Sequence, residues 1–269
     1  MILDNTTGDA SGFASINGGQ LAGFRNRIIN GNFGINQRAY VSGVAVGAGL
    51  YGHDRWKMSA SGDTYTFSTT ANVTTITIPA GKVLQQVIEG LNLESGTYTL
   101  SWAGTAQGKI GAGSFGASGI TGVIVGGTNT TIEFNPGTVS KVQLEFGVTA
   151  SVFEQRPYGM ELALCQRYAY AFTFVSAQGM ITVYNFGAAQ AYGIIKFPVT
   201  MRATPTWSGG STVNYFGATG SGVTTVSTAV SCDPTKQALI SVPGAGFTVG
   251  GAGLLTPTAN ATSIFNAEL

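Results

Sequence analysis

Short runs in which every second residue is apolar recur along this chain, with glycine between them. The clearest of these runs are residues 64–68, 73–78, 97–102 and 142–146. Period-two alternation places every second side chain on one face, as in half-buried antiparallel strands. The 40 glycines of the sequence supply the turns that many short strands need. The pattern therefore predicts an all-β protein that begins with a two-sheet sandwich.

A helix competes with this pattern in two places, residues 82–89 and residues 160–168. In the first, Gly81 and Gly90 leave room for only two helical turns, so we predict a strand. The second contains neither glycine nor proline and follows Pro157, a residue that a central strand would exclude. We therefore predict one short helix, at 160–168, and a domain boundary where it begins.

Three parts are predicted along the chain. Residues 1–24, rich in Gly, Ser and Asn, form an extended leader. Residues 25–157 form the first β domain, and residues 158–269 form the short helix followed by a smaller β-rich domain. Strands of this smaller domain are predicted at 172–175, 180–186, 192–197, 206–208 and 224–231.

Charged residues are scarce, which excludes several classes of partner. They make up 9% of the chain, against roughly 25% in an ordinary soluble domain. The 13 basic and 12 acidic residues form no cluster that could neutralise phosphates, so we expect neither a nucleic-acid partner nor an anionic membrane surface. No apolar run reaches the length of a membrane span, so membrane insertion is not expected either.

The first residues lack a basic region followed by an apolar run, so we expect no secretory signal. A protein of this kind that acts outside the cell would be made in the cytoplasm and released by lysis, as a virion component is. The absence of a signal alone fits a cytosolic protein equally well.

The sequence offers little for catalysis. His53 is the only histidine, and it directly precedes Asp54. Such a pair can act as a general base, but adjacent strand residues point to opposite faces, so we predict a structural role for His53. Glycan hydrolysis needs two facing carboxylates. The candidates for such a pair are Glu89, Glu94, Glu133, Glu145 and Glu154, and with so few acids a chance pairing is not expected. We predict no catalytic residues and no enzyme activity.

No cofactor is expected and no metal motif is present, whereas calcium or sodium held by backbone oxygens of a Gly/Asn/Asp loop stays open. One histidine and two distant cysteines, Cys165 and Cys232, do not make a zinc site. The glycine-rich stretches 126–129 and 250–253 lack the spacing of a phosphate-binding loop, and we predict that both are simple loops.

Aromatic residues carry the binding hypothesis, because flat sugar faces stack on Trp and Tyr while sugar hydroxyls bond to amides. Trp56 and Trp102 lie inside alternating or motif segments, so we predict that they belong to the core. The candidate ligand-binding residues lie near predicted loops of the second domain, and they are Tyr184, Tyr192, Trp207, Asn214 and Tyr215. The alternative is that these residues fill the second core or a subunit interface. A further alternative places recognition on loops around Tyr40 and Tyr51.

Four stretches together resemble a family of bacteriophage tail-fibre and virion-spike proteins. They are AGFRNRIINGNF (22–33), HDRW (53–56), FEQRPYGMELALCQRY (153–168) and FPVTMRATPT (197–206). The resemblance implies a jelly-roll domain similar to carbohydrate-binding modules, followed by a smaller β domain. It also implies a homotrimer on the virion surface. One position departs from the family, since many relatives carry an acid where this chain has Gly34, and the departure argues against carrying over their calcium site.

These observations favour a non-enzymatic fibre or spike protein that adsorbs to a host-cell surface polysaccharide and contacts other virion proteins through residues 1–24. A structural decoration or head-fibre protein without receptor binding is the second hypothesis. A glycan-depolymerising tailspike is the third. Glu154 and Arg156 are interpreted as structural residues that fix how the two domains meet, by pairing with each other or with Arg167.

Overall fold

The computed structural model describes residues 23–46, 50–60, 62–179, 181–208, 212–217, 220–225, 228–233, 235–244 and 247–269. All of the predicted leader except residues 23 and 24 lies outside these ranges. The described residues form antiparallel sheets and one α-helix, α1 (Tyr158–Gln166). The all-β fold with a single short helix is therefore confirmed.

The strands, in chain order, are β1 (Lys57–Met58), β2 (Thr66–Thr70), β3 (Val73–Ile78), β4 (Leu84–Ile88), β5 (Gly96–Ala103), β6 (Gly108–Ile110), β7 (Ile120–Ile124), β8 (Thr130–Phe134), β9 (Gly137–Phe146), β10 (Ala169–Phe174), β11 (Ile181–Gly187), β12 (Gln190–Lys196), β13 (Thr206–Ser208), β14 (Thr212–Gly217), β15 (Gly220–Thr225), β16 (Thr228–Asp233), β17 (Gln237–Pro243), β18 (Ala252–Pro257) and β19 (Ala261–Asn266). A short 3-10 turn spans Gly90–Asn92. The chain divides into two compact units, Met1–Glu161 with Leu269 (unit 1) and Leu162–Glu268 (unit 2).

Unit 1 is a sandwich of two antiparallel sheets. The five-stranded sheet has the order β2-β3-β9-β5-β7 and the four-stranded sheet the order β1-β4-β8-β6. From β3 to β9 the chain alternates between the two sheets, which agrees with the predicted jelly-roll sandwich. The stretch 82–89 contains strand β4, as predicted, because Gly81 and Gly90 leave too little length for a helix.

The core of unit 1 is formed by inward-facing residues of both sheets. Trp56 and Trp102 belong to it, as predicted, and are 0% and 7% exposed. Both contact Phe134 of β8, with ring centroids 6.1 and 5.1 Å from its own. Tilted or edge-to-face rings at such distances contribute beyond the area they bury.

Unit 2 contains a seven-stranded sheet and a three-stranded sheet. Their orders are β15-β14-β18-β11-β12-β17-β16 and β10-β19-β13. In the smaller sheet, Phe265 of β19 lies between Tyr170 and Trp207, with near-parallel rings 6.3 and 6.0 Å away. Phe265 is 1% exposed, so this ladder of rings closes one side of the second core.

The strand predictions in unit 2 were incomplete. The stretch 224–231 spans parts of two strands, β15 and β16, instead of one. Strands β14, β17, β18 and β19 were not predicted. The prediction of a loop at 250–253 was wrong for its second half, since Ala252 and Gly253 lie in β18. The loop predicted at 126–129 does lie between β7 and β8.

The position of the Tyr215 ring explains why glycine occurs inside β14 and β18. A Cβ on Gly253 would lie 2.1 Å from Tyr215 Cε2, and one on Gly217 would lie 2.3 Å from its hydroxyl. The two glycines face each other across β18 and β14. They leave the space in which the ring reaches Asn185, whose Nδ2 donates to the hydroxyl at 2.7 Å.

We expect Gly253→Ala to lower the free energy of unfolding of unit 2 by about 1–3 kcal/mol, because the ring must leave its packed position. Gly159→Ala in α1 is the matched control, since a Cβ there meets nothing within 4 Å. The control should leave stability unchanged or slightly raised. Chemical denaturation of the two variants checks this, and equal stabilities would contradict the account.

Candidate functional site

Residues 24–36 of unit 1 are mostly buried but form no regular strand. Burial without a strand ladder leaves backbone amides that must find other partners. Strand β9 supplies two of these hydrogen-bond partners. Arg27 N–H donates to Leu144 O at 2.8 Å, and the carbonyl of Gly31 accepts from Val142 N–H at 2.8 Å. Side chains supply most of the remainder.

Three charged side chains hold the first half of this segment. Glu154 accepts hydrogen bonds from the backbone N–H groups of Phe24 and Asn26, the latter at 2.8 Å. Arg156 donates to the carbonyl of Asn26 and, at 3.0 Å, to that of Ile28. The carboxylate of Glu161 accepts from Asn30 N–H at 2.5 Å and pairs with Arg156 at 3.1 Å.

The predicted pairing of Arg156 or Glu154 with each other or with Arg167 was wrong. Arg156 pairs with Glu161, one turn into α1. Glu154 accepts from backbone amides instead of from a side-chain cation. The sequence did not reveal that both face an adjacent segment of irregular backbone.

Amide side chains complete the same network. Gln86 of β4 both accepts from and donates to the backbone of Ile29, at 3.0 and 2.8 Å. The Asn30 side chain bonds both backbone groups of Ile35 and donates to Asp54 O at 2.9 Å. Trp56 Nε1 donates to Asn30 O at 2.9 Å. The AGFRNRIINGNF, HDRW and FEQRPYGMEL stretches therefore meet in one hydrogen-bonded cluster.

A cavity of about 550 Å³ opens beside this cluster. The residues that line it come from the 24–36 segment, the HDRW stretch, the hairpin of β2 and β3, and the start of α1. They are Asn32, Phe33, Gly34, Asn36, His53, Phe67, Thr69, Asn72, Thr74, Gln155 and Tyr158. The lining combines amides, hydroxyls and rings, and none of these described residues is a carboxylate, lysine or arginine.

His53 is the only lining residue that titrates near neutral pH, and it is held as part of an aromatic cluster. Its Nδ1 lies 2.8 Å from the Tyr65 hydroxyl, and its ring and that of Phe67 are nearly perpendicular, with centroids 4.6 Å apart. Burial lowers the pKa of His53 to about 4 from its usual 6.5. The cavity is therefore uncharged at neutral pH.

The His53–Asp54 sequence pair does not form a catalytic dyad in the fold. The Asp54 carboxylate accepts from Gln37 N–H at 2.6 Å and from Gln37 Nε2 at 2.8 Å, and Arg38 Nη1 lies 3.5 Å away. His53 contacts Tyr65 instead.

Three of the other candidate carboxylates also have structural partners. Glu133 forms an ion pair with Lys109 at 2.5 Å, and Glu145 accepts from the Ser151 hydroxyl at 2.6 Å. Glu154 accepts from the amides of the 24–36 segment.

The ligand-binding residues predicted in unit 2 divide into two groups. Tyr184 and Tyr192 are cross-strand neighbours on β11 and β12, on the outer face of the seven-stranded sheet, and Tyr184 is 55% exposed. Tyr215 is buried in the second core, and Trp207 is half-buried against Phe265. Asn214 faces a second, smaller cavity of about 320 Å³ with Phe216 and Thr256.

No family model and no curated protein matches this chain. Within the described ranges, no group of three or more His, Cys, Asp or Glu side chains is placed to hold a metal ion. In the same part of the chain, no helix is long and apolar enough to cross a membrane.

Sequence reasoning missed most of the cavity. Gln155 and Tyr158 lie in the FEQRPYGMELALCQRY stretch, and Asn32 lies in the AGFRNRIINGNF stretch. Their position inside these stretches was the available signal. Asn72 gave no such signal, because it sits in a two-residue hairpin turn between β2 and β3 with φ of 62°.

The pKa of His53 gives a test of its burial. Because the unfolded chain takes up the proton first, the free energy of unfolding should fall as the pH drops from about 6.5 to about 4, by about 3 kcal/mol in total. Other groups titrate in this range as well, so the comparison is with His53→Gln, which should lack this component. Denaturation of both proteins across the range measures the difference, and parallel pH profiles would show that His53 is not buried as a neutral group.

Proposed function

We propose that this chain is a non-enzymatic surface-recognition protein of a bacteriophage-like particle, and that it binds an uncharged glycan in the cavity of unit 1. The observation that carries the proposal is the composition of the cavity wall, which offers rings, amides and hydroxyls without a formal charge. Sugars present flat C–H faces together with many hydroxyls, and both features find complementary groups in such a wall.

Individual residues suit separate parts of a sugar. Tyr158 is 67% exposed at the start of α1 and Phe67 is half-buried, so both rings have faces available for stacking. Asn72 and Gln155 are exposed at the rim and can adapt their amides to sugar hydroxyls. Asn36 is already committed, since its side chain bonds both backbone groups of Tyr40 at 2.8 and 3.0 Å, and it serves to hold the wall in place.

The particle context rests on the resemblance of the four motif stretches to phage fibre and spike proteins. In this proposal residues 1–24 contact other virion proteins, and three copies assemble into a homotrimer at the virion surface. Single sugar sites typically have millimolar affinity, about −4 kcal/mol. Three linked sites raise the effective affinity without any new contact, which is what adsorption to a host polysaccharide requires.

A structural virion protein without receptor binding is the second candidate. It is favoured by the apolar outer face of the seven-stranded sheet in unit 2, which suits a protein partner better than a sugar. Titrating the intact protein on host cells separates the two candidates. Release of reducing sugar from capsule or lipopolysaccharide tests for a depolymerase, and we expect none.

Tyr158→Ala tests the assignment of the cavity. We expect it to weaken binding of the neutral oligosaccharide that scores best on a glycan array by at least about tenfold, or about 1.4 kcal/mol. Val123→Ala is the control, because it truncates a 79% exposed side chain on β7 of unit 1 that does not line the cavity. Calorimetric titration of the two variants and the parent measures the effect.

Asn72→Gly is a second variant for the same site. Glycine adopts the positive φ of this position without strain, so the change removes only the rim amide, and we expect weaker binding with unchanged melting temperature. If Tyr158→Ala and Asn72→Gly both bind like the parent, the assignment of recognition to the cavity is wrong.

A further inference from the structure

The outer face of the seven-stranded sheet in unit 2 carries a group of large apolar side chains, where an exposed sheet face is ordinarily polar. Inward positions of its strands fill the second core. The outward positions of the four neighbouring strands β14, β18, β11 and β12 carry large apolar side chains that are 40–68% exposed. They are Phe216, Leu254, Tyr184, Phe186 and Ile194, and we refer to them as the outer patch.

The strand register makes the outer patch continuous. Phe216 lies opposite Leu254, and Tyr184 lies opposite Tyr192. The ring of Phe186 is 5.7 Å from that of Tyr192. Tyr184 joins these groups, because Leu254 and Ile194 lie diagonally across from it, each two residues beyond its direct partner on the neighbouring strand. Diagonal neighbours lie within reach of an aromatic side chain, so the patch is one surface.

Its size is that of the centre of a protein interface. Aromatic side chains bury 150–250 Å² each, so five large side chains at this exposure present on the order of 500 Å² of apolar surface. A standard interface buries about 800 Å² on each partner. The largest apolar patch on an ordinary monomer covers about 300–600 Å² and is often functional.

The charge of the face indicates which partner covers it. Lys196 is the one charged residue among the described outward positions of these four strands, and after Glu161 the sequence contains only two acids, Asp233 and Glu268. A partner with an ordinary charged surface would lose the hydration of its charges here without gaining counter-charges. Aliphatic side chains such as Ile194 and Leu254 also offer no donor or acceptor to sugar hydroxyls. A second copy of the same face carries a single charge among these described positions, that of Lys196, and offers apolar side chains to match Ile194 and Leu254.

We propose that the outer patch packs against the outer patches of further copies of this chain, with Ile194 and Leu254 at the centre of the contact. This inference rests on the proposed assembly but not on the proposed ligand. Every copy buries the same surface, as closed symmetric assemblies require. The exposed Tyr184 and the half-buried Tyr192 then act as interface residues and not as sugar-stacking residues.

Analytical ultracentrifugation of the full chain at micromolar concentration tests the proposal. The parent should sediment as a multiple of the 27.6 kDa chain, three-fold if the assembly is the proposed homotrimer. Ile194→Glu should sediment as a monomer, because it places a charge in each buried contact. Val123→Glu is the control, since Val123 is a 79% exposed aliphatic residue on β7 of unit 1, and it should keep the parent mass.

Circular dichroism shows whether Ile194→Glu remains folded. If it does not, Ile194→Ala decides the matter, and it should raise the concentration at which half of the assembly dissociates by about tenfold. A monomeric parent, a folded Ile194→Glu with the parent mass, or an Ile194→Ala with unchanged dissociation would each overturn the proposal. The folded monomer should still bind the neutral oligosaccharide in unit 1 with unchanged single-site affinity, so loss of assembly and loss of the ligand site are separate results.

Discussion

The buried backbone of residues 24–36 imposes the constraint on which the rest of unit 1 depends. Each buried amide without a strand partner needs another hydrogen bond, and a buried charge left without its partner costs about 3–5 kcal/mol. Glu154, Arg156 and Glu161 all bond the backbone of this segment, and Arg156 and Glu161 also pair with each other. Because the same segment continues into Asn32 and Asn36, the network that stabilises the backbone also fixes one wall of the cavity.

Alternation and glycine spacing predicted the all-β class, strand β4 and the single helix, because these depend on local sequence. The core positions of Trp56 and Trp102 were predictable for the same reason. The partners of Arg156 were not, since Glu161 and the carbonyl of Ile28 come together only in the fold. The cavity was missed likewise, because its lining comes from four separate segments whose association leaves no local periodic signal.

Glycine marks loops in unit 1 but also occurs inside strands in unit 2, and this difference limited the prediction of strands in unit 2. At 126–129 it marks a loop, whereas Gly253 lies in a strand because the Tyr215 ring occupies the place of its side chain. Tyr215 is therefore a core residue, and the exposed aromatic side chains of the seven-stranded sheet are those of the outer patch. The sequence identified Tyr184 and Tyr192 as candidate sugar-binding residues but did not show that aliphatic side chains lie beside them. These aliphatic neighbours favour a protein partner over a sugar.

The central claim is that the neutral cavity beside the 24–36 segment receives the glycan, and His53 can report on it directly. It is the only histidine in the chain and lines the cavity, so its imidazole gives a single, unambiguous set of nuclear magnetic resonance signals. Titration of the intact protein with the best-binding neutral oligosaccharide should shift these signals in a saturable manner, with the same midpoint as calorimetry. Saturable binding that leaves the His53 signals unchanged would place the glycan elsewhere and contradict the account.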